Sequence, residues 1–318
     1  MRKLWAISLV LILLLFFIPL LLLRGPSAEP KKEEKELVKT CPIEITVSGL
    51  DRPLALEEYV KGVLAGEMPI SFHEEALKAQ AIAARTFALK TTDNGKNPIA
   101  KDVSAQVYNS EKERKKRWGK EFKKNERKIS AAVEATKGDI ILFEDELISA
   151  MFFSTSNGKT ETAENYGGNN VPYLQSVESP GEVDVAPAYE EETKITLEKW
   201  SEAFGNVWTA ETFKSLQLVR NSTGRVQKVK ADGLEAEGRE IRDLLGLRST
   251  DFDIAFDVTN GIVLVKTLGF GHGVGMSQYG AEAYAQKGWT AEKIVEHYYT
   301  GTAIKNLMNL ENECLKSP

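Results

Sequence analysis

The sequence predicts an α+β protein, in which an N-terminal transmembrane helix precedes an ectodomain of mixed helices and antiparallel strands with a long cleft. Three features of the sequence support this prediction. An apolar run fills residues 4–23, helical periodicity begins near residue 56, and alternating strand patterns begin near residue 138. With 318 residues, 42% of them hydrophobic, the chain can bury a sizeable core.

The apolar run has the features of a membrane anchor. Residues 4–23 have about the length that a helix needs to cross a bilayer, and Arg2 and Lys3 precede them. Residues 24–26 follow directly, where a signal peptide would carry small residues for cleavage. We therefore predict an uncleaved anchor with residues 1–3 in the cytoplasm and everything after the anchor outside. A cleavable signal peptide is the alternative.

The remaining boundaries follow from composition. Residues 24–40 form a charged linker, residues 41–310 the extracytoplasmic domain, and residues 311–318 a tail. Cys41 and Cys314 are too few for a disulfide framework or a cysteine-based zinc site. We expect two separate thiols, and one bond between the ends of the domain is the alternative.

The overall charge argues against a nucleic-acid partner. The 41 basic and 46 acidic residues give a net charge of -5, whereas nucleic-acid-binding proteins usually carry a basic field. Basic residues do dominate positions 111–128. In and just after this stretch, one helical stripe carries Trp118, Phe122, Ile129 and Val133. This pattern predicts an amphipathic helix with a solvated basic face, and contact with an anionic wall polymer or lipid is the alternative.

The chain is organised around a break between two helices in residues 57–90, and this break carries Glu67. Apolar residues at helical spacing precede it: Leu56, Tyr59, Val60, Val63 and Leu64. Gly66 favours the end of the first helix, and Pro69 pushes Met68 out of the helical conformation. Glu67 is thus a candidate catalytic residue on a restricted joint. Periodicity alone also allows an ordinary surface glutamate.

The second helix of this stretch is predicted to be rich in alanine and closely packed. Ser71 and Glu74 match a capping box, which predicts a helix start at about Phe72. The alanines that follow leave little side-chain bulk, so other backbone can approach closely. Gln80 and Arg85 project from this apolar run and need polar partners.

Strand patterns follow, with a polar cluster at their end. Residues 140–143 and 147–153 predict a β-hairpin around a turn at 144–146. Candidate sugar-binding side chains come directly after it: Ser154, Thr155, Ser156, Asn157 and Lys159. An ordinary turn is the alternative, since turns use the same residue types. Residues 166–182 predict a long loop that forms a candidate cleft wall.

The second informative stretch is the glycine-rich sequence GFGHGVGMSQYGA at residues 269–281. Its alternating glycines let the backbone approach a ligand or a strand closely. It is not a nucleotide loop, because Met276 occupies the third glycine position of that motif. His272 either polarises a substrate group or bonds the backbone, and we assign Gln278 and Tyr279 to substrate binding.

Local signals place several later elements. Residues 197–204 predict a helix, and Asn260 and Gly261 between two strand patterns predict a type I′ hairpin. Ser277 and Thr290 are predicted N-caps of two closing helices. These elements complete the β-rich half of the domain and its last helices.

Four segments in order resemble the stage II sporulation protein D family, which are membrane-anchored lytic transglycosylases of peptidoglycan. The segments are EEYVKGVLAGEMP with ALKAQAIAARTFAL, FFSTSNGKTETAEN, VPYLQSVESP and GHGVGMSQYGA. The resemblance implies cleavage of the bond between N-acetylmuramic acid and N-acetylglucosamine, with a 1,6-anhydro product, during engulfment of the forespore. By that similarity Glu67 is the catalytic acid and base, and Gln80 and Arg85 hold the substrate or the joint.

The resemblance also implies partners and a location. Peptidoglycan glycan strands are the substrate, stage II sporulation proteins P and M the partners, and the mother cell's engulfing membrane the site of action. Some relatives bind zinc through histidine and cysteine after the second helix, but residues 97–108 contain neither, so we predict no metal and no cofactor. Gly181 replaces a tryptophan that is frequent in the family, which changes the expected glycan contacts of residues 181–188.

Two other classes of function remain as alternatives. One is a glycan-binding scaffold that holds the strand in the same cleft without cutting it. The other is a zinc or serine hydrolase of stem peptides, which the absence of the HExxH and G-x-S-x-G motifs disfavours.

Overall fold

The computed structural model describes residues 43–309. The predicted stub, anchor, linker and tail lie outside these residues, as do both cysteines, so the predictions about them stay predictions. Within residues 43–309 helices mix with short, mostly antiparallel strands, which confirms the predicted α+β class. None of the helices in this range is both long enough and apolar enough to cross a bilayer.

The helices of the described range fall mainly before residue 136 and after residue 277. Their bounds are α1 Leu56–Glu67, α2 Glu74–Thr91, α3 Glu111–Trp118, α4 Phe122–Ala135, α5 Ala163–Gly167, α6 Glu182–Val185, α7 Leu197–Phe204, α8 Ala210–Lys214, α9 Gly238–Leu245, α10 Gln278–Gln286 and α11 Ala291–Tyr298. Short 3₁₀ turns occupy Gly119–Glu121 and Leu307–Asn309.

The strands form several small sheets. Their bounds are β1 Glu44–Ile45, β2 Leu54–Ala55, β3 Asp139–Phe143, β4 Glu146–Leu147, β5 Phe152–Phe153, β6 Glu190–Thr196, β7 Gln217–Arg220, β8 Val226–Ala231, β9 Leu234–Glu237, β10 Phe252–Asp257, β11 Ile262–Leu268, β12 Met276–Ser277 and β13 Ala303–Asn306. The antiparallel sheets have the orders β1-β2, β13-β3-β4, β10-β11-β6 and β7-β8-β9. Strands β5 and β12 pair in parallel and join the middle of the chain to its last third.

A first hydrophobic core surrounds α2. Helices α1, α4, α10 and α11 and strand β3 all pack against this helix. Its small buried residues permit that close packing from several sides: Ala76, Ala79, Ala81, Ala83, Ala84 and Ala88. The predicted role of the alanine-rich helix is therefore confirmed.

A second hydrophobic core lies within residues 195–265 and is rich in aromatic rings. Trp200 is fully buried, and its ring meets the Trp208 ring edge-on, with 5.5 Å between ring centroids. Phe213 stacks on Phe256 at 4.5 Å. The sheet β10-β11-β6, the sheet β7-β8-β9 and the helix α9 supply other apolar side chains of this core.

The start of α2 differs from the prediction. The helix begins at Glu74, and its N-cap is His73, whose Nδ1 accepts the Glu75 N–H at 3.2 Å. The predicted capping box at Ser71 is therefore wrong. A histidine ring in the N-cap position offers the same kind of acceptor that Ser71 was expected to supply.

Two other local predictions also need correction. The basic stretch is not one helix, because the chain turns at Gly119 (φ 49°), and α3 and α4 are separate. The loop at Asn260 and Gly261 is wider than a type I′ turn, since only the glycine has a positive φ. The Asp257 carboxylate accepts backbone N–H groups from Thr259 and Asn260 and stabilises this wider loop.

Other predictions about local structure are confirmed. The hairpin of β3 and β4 turns at Glu144 and Asp145, although β5 leaves it to pair with β12. Helix α7 has the predicted bounds. Ser277 and Thr290 cap α10 and α11, because their hydroxyl groups accept N–H groups of the first turn.

Candidate functional site

Glu67 is the last residue of α1 and precedes a joint of restricted backbone. Met68 is extended, at φ -111° and ψ 140°, the conformation that a following proline imposes on its neighbour. The helix thus runs one residue beyond Gly66, where it was predicted to end. The Glu67 side chain is only partly exposed, so the joint holds its carboxyl group at the boundary between core and solvent.

Two glycines of α1 bring a second chain segment onto Glu67. A methyl group at Gly62 would overlap the Tyr108 ring, and one at Gly66 would overlap the Val107 carbonyl oxygen. The two glycines lie about one helical turn apart, on the same face of α1. Glycine at both positions therefore permits this close approach, which places the Val107 N–H beside the carboxyl group.

The carboxyl group of Glu67 is held by neutral donors. The Val107 N–H donates to Oε1 at 2.6 Å, and the Gln278 Nε2 donates to Oε2 at 3.5 Å. Burial raises the pKa of Glu67, and the two hydrogen bonds lower it by a smaller amount, so the pKa stays above its usual value. Burial and the nearby Glu67 charge raise the pKa of Tyr59 in turn.

This environment suits proton transfer. Within the described part of the chain, no lysine or arginine forms an ion pair with Glu67. A carboxyl group with a raised pKa keeps its proton to a higher pH, and it can then donate that proton to a leaving oxygen. The same group, once ionised, can act as a base.

Two basic side chains from the helices α3 and α4 fasten the joint on both sides. The Arg117 Nη1 donates to the Ala65 carbonyl oxygen at 2.7 Å. The Lys128 Nζ donates to the carbonyl oxygens of Ile70 at 2.8 Å and Phe72 at 2.6 Å. These contacts satisfy backbone acceptors that the helix break leaves unpaired, and so they fix the position of Glu67.

Arg85 and Gln80 are fully buried on α2. The Arg85 guanidinium forms a bidentate ion pair with Glu57, at 2.6 Å from Nη2 to Oε2, and donates from Nη1 to the Asp139 carbonyl oxygen at 3.0 Å. This placement gives Arg85 a role in joining α1, α2 and β3. Gln80 has no hydrogen-bond partner for either polar atom of its side chain among the described residues. Substrate contact by either residue stays a prediction and requires rearrangement.

The first part of the polar cluster after β5 pairs with the glycine-rich stretch. Thr155 and Phe270 exchange backbone hydrogen bonds of 3.0 and 2.7 Å. The Ser154 carbonyl oxygen accepts the Tyr279 N–H at 3.0 Å. The backbone here therefore joins the two motifs, and the partly exposed Ser154 hydroxyl remains a candidate for substrate binding.

The rest of the cluster is engaged with other protein groups. The Ser156 hydroxyl donates to Glu182 Oε1 at 2.6 Å, and the Asn157 Nδ2 donates to Asp251 Oδ2 at 2.7 Å. The Lys159 carbonyl oxygen accepts a hydrogen bond from a buried arginine at 3.1 Å. Ser156 and Asn157 therefore have the structural role that was the alternative to sugar binding. Sugar binding by the cluster stays a prediction.

His272 bonds the backbone, which was one of its two predicted roles. Its Nδ1 accepts the Val274 N–H at 3.1 Å, and its ring packs between Phe153 and Tyr166 at centroid distances of 5.6 and 5.5 Å. Burial lowers the pKa of His272 to about 4. The imidazole is therefore neutral at physiological pH.

Gln278 is the predicted residue that the structure brings to Glu67. It is the first residue of α10, and its side chain is largely buried. The neighbouring Tyr279 packs edge-on against Phe72 at 4.9 Å, beside the joint. Two of the four motifs recognised in the sequence thus meet at one carboxyl group.

The predicted long cleft stays a prediction. A surface groove of about 1000 Å³ is lined by residues that include Leu54, Lys61, Tyr108 and Lys112, and Glu67 is not among the lining residues.

Known proteins resemble this chain in sequence over most of its length. Residues 50–143, which include Glu67, match the model of the SpoIID family, described as a stage II sporulation protein. The chain is 39% identical over 285 residues to stage II sporulation protein D of Bacillus amyloliquefaciens, with 87% of this chain and 81% of that protein covered. The chain belongs to the stage II sporulation protein D family.

Two further proteins are similar to much of this chain. Stage II sporulation protein D of Bacillus subtilis is 38% identical over 289 residues, covering 87% of this chain and 83% of that protein. The amidase enhancer of Bacillus subtilis is 27% identical over 298 residues, covering 77% of this chain but 40% of that protein. The similarity to this larger protein thus includes only part of its length.

Several residues around Glu67 were not predicted from the sequence. Gly62 and Val107 were not singled out, yet they determine one of the two hydrogen bonds to the carboxyl group. Glycines four residues apart in a helical pattern were the available signal, because they predict close approach of another segment. Glu182 was also missed, since a glutamate in a loop is usually exposed.

The prediction of no metal and no cofactor for this family member also stays a prediction. Among residues 43–309, no group of three or more His, Cys, Asp or Glu side chains is arranged to hold a metal ion.

Proposed function

We propose that this protein is a lytic transglycosylase that cleaves the bond between N-acetylmuramic acid and N-acetylglucosamine in peptidoglycan during forespore engulfment. Membership of a sporulation family supports the biological setting. The observation that carries the proposal is the environment of Glu67, a partly buried carboxyl group with a raised pKa and only neutral donors.

One carboxyl group is sufficient for this reaction. Protonated Glu67 gives its proton to the glycosidic oxygen as the bond from that oxygen to C1 of the muramic acid breaks. The 6-hydroxyl oxygen of the same sugar forms a bond to C1, and its proton passes to the Glu67 carboxylate. The enzyme is thereby regenerated and no water is consumed, whereas hydrolytic glycosidases need two carboxyl groups.

The exchange Glu67→Gln tests this proposal. Glutamine keeps the shape of the side chain but cannot exchange the proton, so release of anhydro-ended fragments should fall by at least about 100-fold. The measurement is mass spectrometry of products from purified glycan strands. Glu134→Gln, on the exposed surface of α4, is the matched control and should leave activity unchanged. Equal product release by Glu67→Gln and wild type would refute the assignment.

The proposed location and partners rest on family membership. We infer an extracytoplasmic domain, anchored by residues 4–23 in the mother cell's engulfing membrane and associated with stage II sporulation proteins P and M. A fusion of a fluorescent protein to residue 318, followed through engulfment, tests the location. Co-purification from sporulating cells tests the partners, and a protein distributed through the cytoplasm would contradict the proposal.

A glycan-binding scaffold is the second candidate function. The observation that favours it is the similarity to an amidase enhancer, a protein whose name refers to an effect on another enzyme. A scaffold would bind glycan strands with the same affinity in wild type and Glu67→Gln, and neither form would release anhydro-ended products.

A further inference from the structure

Glu182 is a buried carboxylate that gathers three serines from three separate motifs. It is the first residue of α6, and 1% of its surface is exposed. Ser156 and Ser179 each donate a hydroxyl to Oε1 at 2.6 Å, and Ser277 donates to Oε2 at 2.7 Å. The Ser156 N–H adds a fourth hydrogen bond to Oε2 at 2.7 Å. Neighbouring Tyr298 bonds the Ser179 hydroxyl at 2.5 Å.

The first turn of α10 rests directly on this carboxylate. Ser277 is the N-cap of α10, and its hydroxyl accepts the Gly280 N–H at 3.2 Å while donating to Glu182. A methyl group at Gly280 would overlap the Tyr298 and Ser179 hydroxyl oxygens and would lie 2.9 Å from Glu182 Oε1. An anion at this end of the helix is also favoured by the helix dipole. Glu182 thus determines where α10 begins.

The first residue of α10 is Gln278, which donates to Glu67. The order of contacts is Glu182 to Ser277, Ser277 to the adjacent Gln278, and Gln278 to Glu67. The last contact is long, at 3.5 Å, so a small displacement of α10 is enough to remove it.

We propose that Glu182 is a positioning residue for Glu67: it fixes the N-terminus of α10 so that the Gln278 amide bonds the Glu67 carboxyl group. The catalytic consequence rests on the function proposed above. The placement of the Gln278 amide does not rest on that function, because it can be measured on the protein without substrate.

The test is the exchange Glu182→Gln, read out through the pKa of Glu67. Carboxyl-labelled protein is titrated by NMR, and the Glu67 signal is assigned by its loss in Glu67→Gln. Displacement of Gln278 removes a donor to the Glu67 carboxylate, so its pKa should rise in Glu182→Gln. Loss of the Glu182 charge alone would act in the opposite direction, since removal of a nearby anion lowers the pKa of a carboxyl group.

A double-mutant cycle strengthens the test. Gln278→Ala should raise the pKa of Glu67, and the double variant with Glu182→Gln should raise it no further, because both changes remove the same hydrogen bond. Ser277→Ala keeps the Glu182 side chain and should shift the pKa of Glu67 in the same upward direction. This variant also serves if Glu182→Gln fails to fold. Glu178→Gln, an exposed glutamate of the same loop, is the matched control.

An unchanged or lowered pKa of Glu67 in folded Glu182→Gln and Ser277→Ala would overturn the proposal and leave Glu182 a purely structural residue. With glycan strands, the rate constant kcat should fall at unchanged KM and the pH profile should shift upward together with the pKa. An upward pKa shift in a protein that cleaves no glycan would support the positioning role and refute only the proposed function.

Discussion

A carboxyl group that gives up a proton and then takes one back needs a pKa close to the working pH. Partial burial raises the pKa of Glu67 towards that range, and its two donors limit the rise because they favour the ionised form. A lysine or arginine at the same distance would stabilise the ionised form far more. The neutral donors Val107 and Gln278 are therefore as important to the proposed chemistry as the carboxyl group.

Arg85 allows a residue-scale prediction about stability. The exchange Arg85→Met should lower the free energy of unfolding by about 3–5 kcal/mol, because it leaves the Glu57 carboxylate without its partner. Urea denaturation measures the change. Arg127→Met, on the exposed face of α4, is the control and should cost less than about 0.5 kcal/mol. A stable Arg85→Met protein with a raised KM would instead support substrate binding.

His272 allows a prediction about pH. Its pKa of about 4 lies below that of the unfolded chain, so between pH 6.5 and pH 4 the unfolded state binds a proton that the folded state does not. The contribution of His272 to stability should therefore fall as the pH falls through this window and stay constant above it. Urea denaturation at pH 7 and pH 5 should show that this contribution falls by about 2 kcal/mol, and His272→Asn should abolish the fall. His73→Asn, on an exposed cap, should not.

At the scale of elements, the close approach that Gly62 and Gly66 permit matters more than the helix end that Gly66 was expected to mark. Gly66→Ala should cost about 1–3 kcal/mol, since the added methyl group overlaps the Val107 carbonyl oxygen. It should also raise the pKa of Glu67, because the Val107 N–H is pushed away. Thermal unfolding and NMR titration measure these effects. Gly167→Ala, on α5 with open space around it, should change neither.

Several elements with local signals were predicted from the sequence, although the capping box at Ser71 and the type I′ turn at Asn260 and Gly261 were wrong. Helix α7, the caps Ser277 and Thr290, and the break at Pro69 depend on neighbours in the chain, and each was predicted correctly. Contacts between distant segments were not predicted. The approach of Val107 to Gly66, the pairing of β5 with β12 and the burial of Glu182 each join residues 40 or more positions apart. No periodicity within one segment specifies such a pairing.

At the scale of the whole described molecule, polar contacts join the two hydrophobic cores. Glu161 is buried, and its Oε2 accepts the Asn221 Nδ2 at 2.7 Å and the Thr223 hydroxyl at 2.9 Å. The Arg225 Nη2 donates to the Lys159 carbonyl oxygen at 3.1 Å. These contacts connect the turn between β7 and β8, and the start of β8, to the segment after β5, so hydrogen bonds help to attach the second core to the first.

This arrangement predicts that the second core can loosen while the first core stays folded. Thr223→Val removes one donor from buried Glu161 and should cost about 1–3 kcal/mol. Hydrogen exchange should become faster in β7 and β8 while α2 keeps its protection. Thr259→Val, in an exposed loop, is the control and should alter neither region. Equal loss of protection in both cores would show that they unfold as one unit.

Gly62 and Gly66 lie on one face of α1, and their close contacts limit which residues this family can carry there. The donor at residue 107 is a backbone N–H, so almost any side chain except proline can stand there without loss of the hydrogen bond. Positions 62 and 66 carry no side chain, yet a methyl group at either would overlap Tyr108 or Val107. A survey of natural variants should therefore find many residue types at position 107, beside the carboxyl group. It should find mostly glycine at positions 62 and 66.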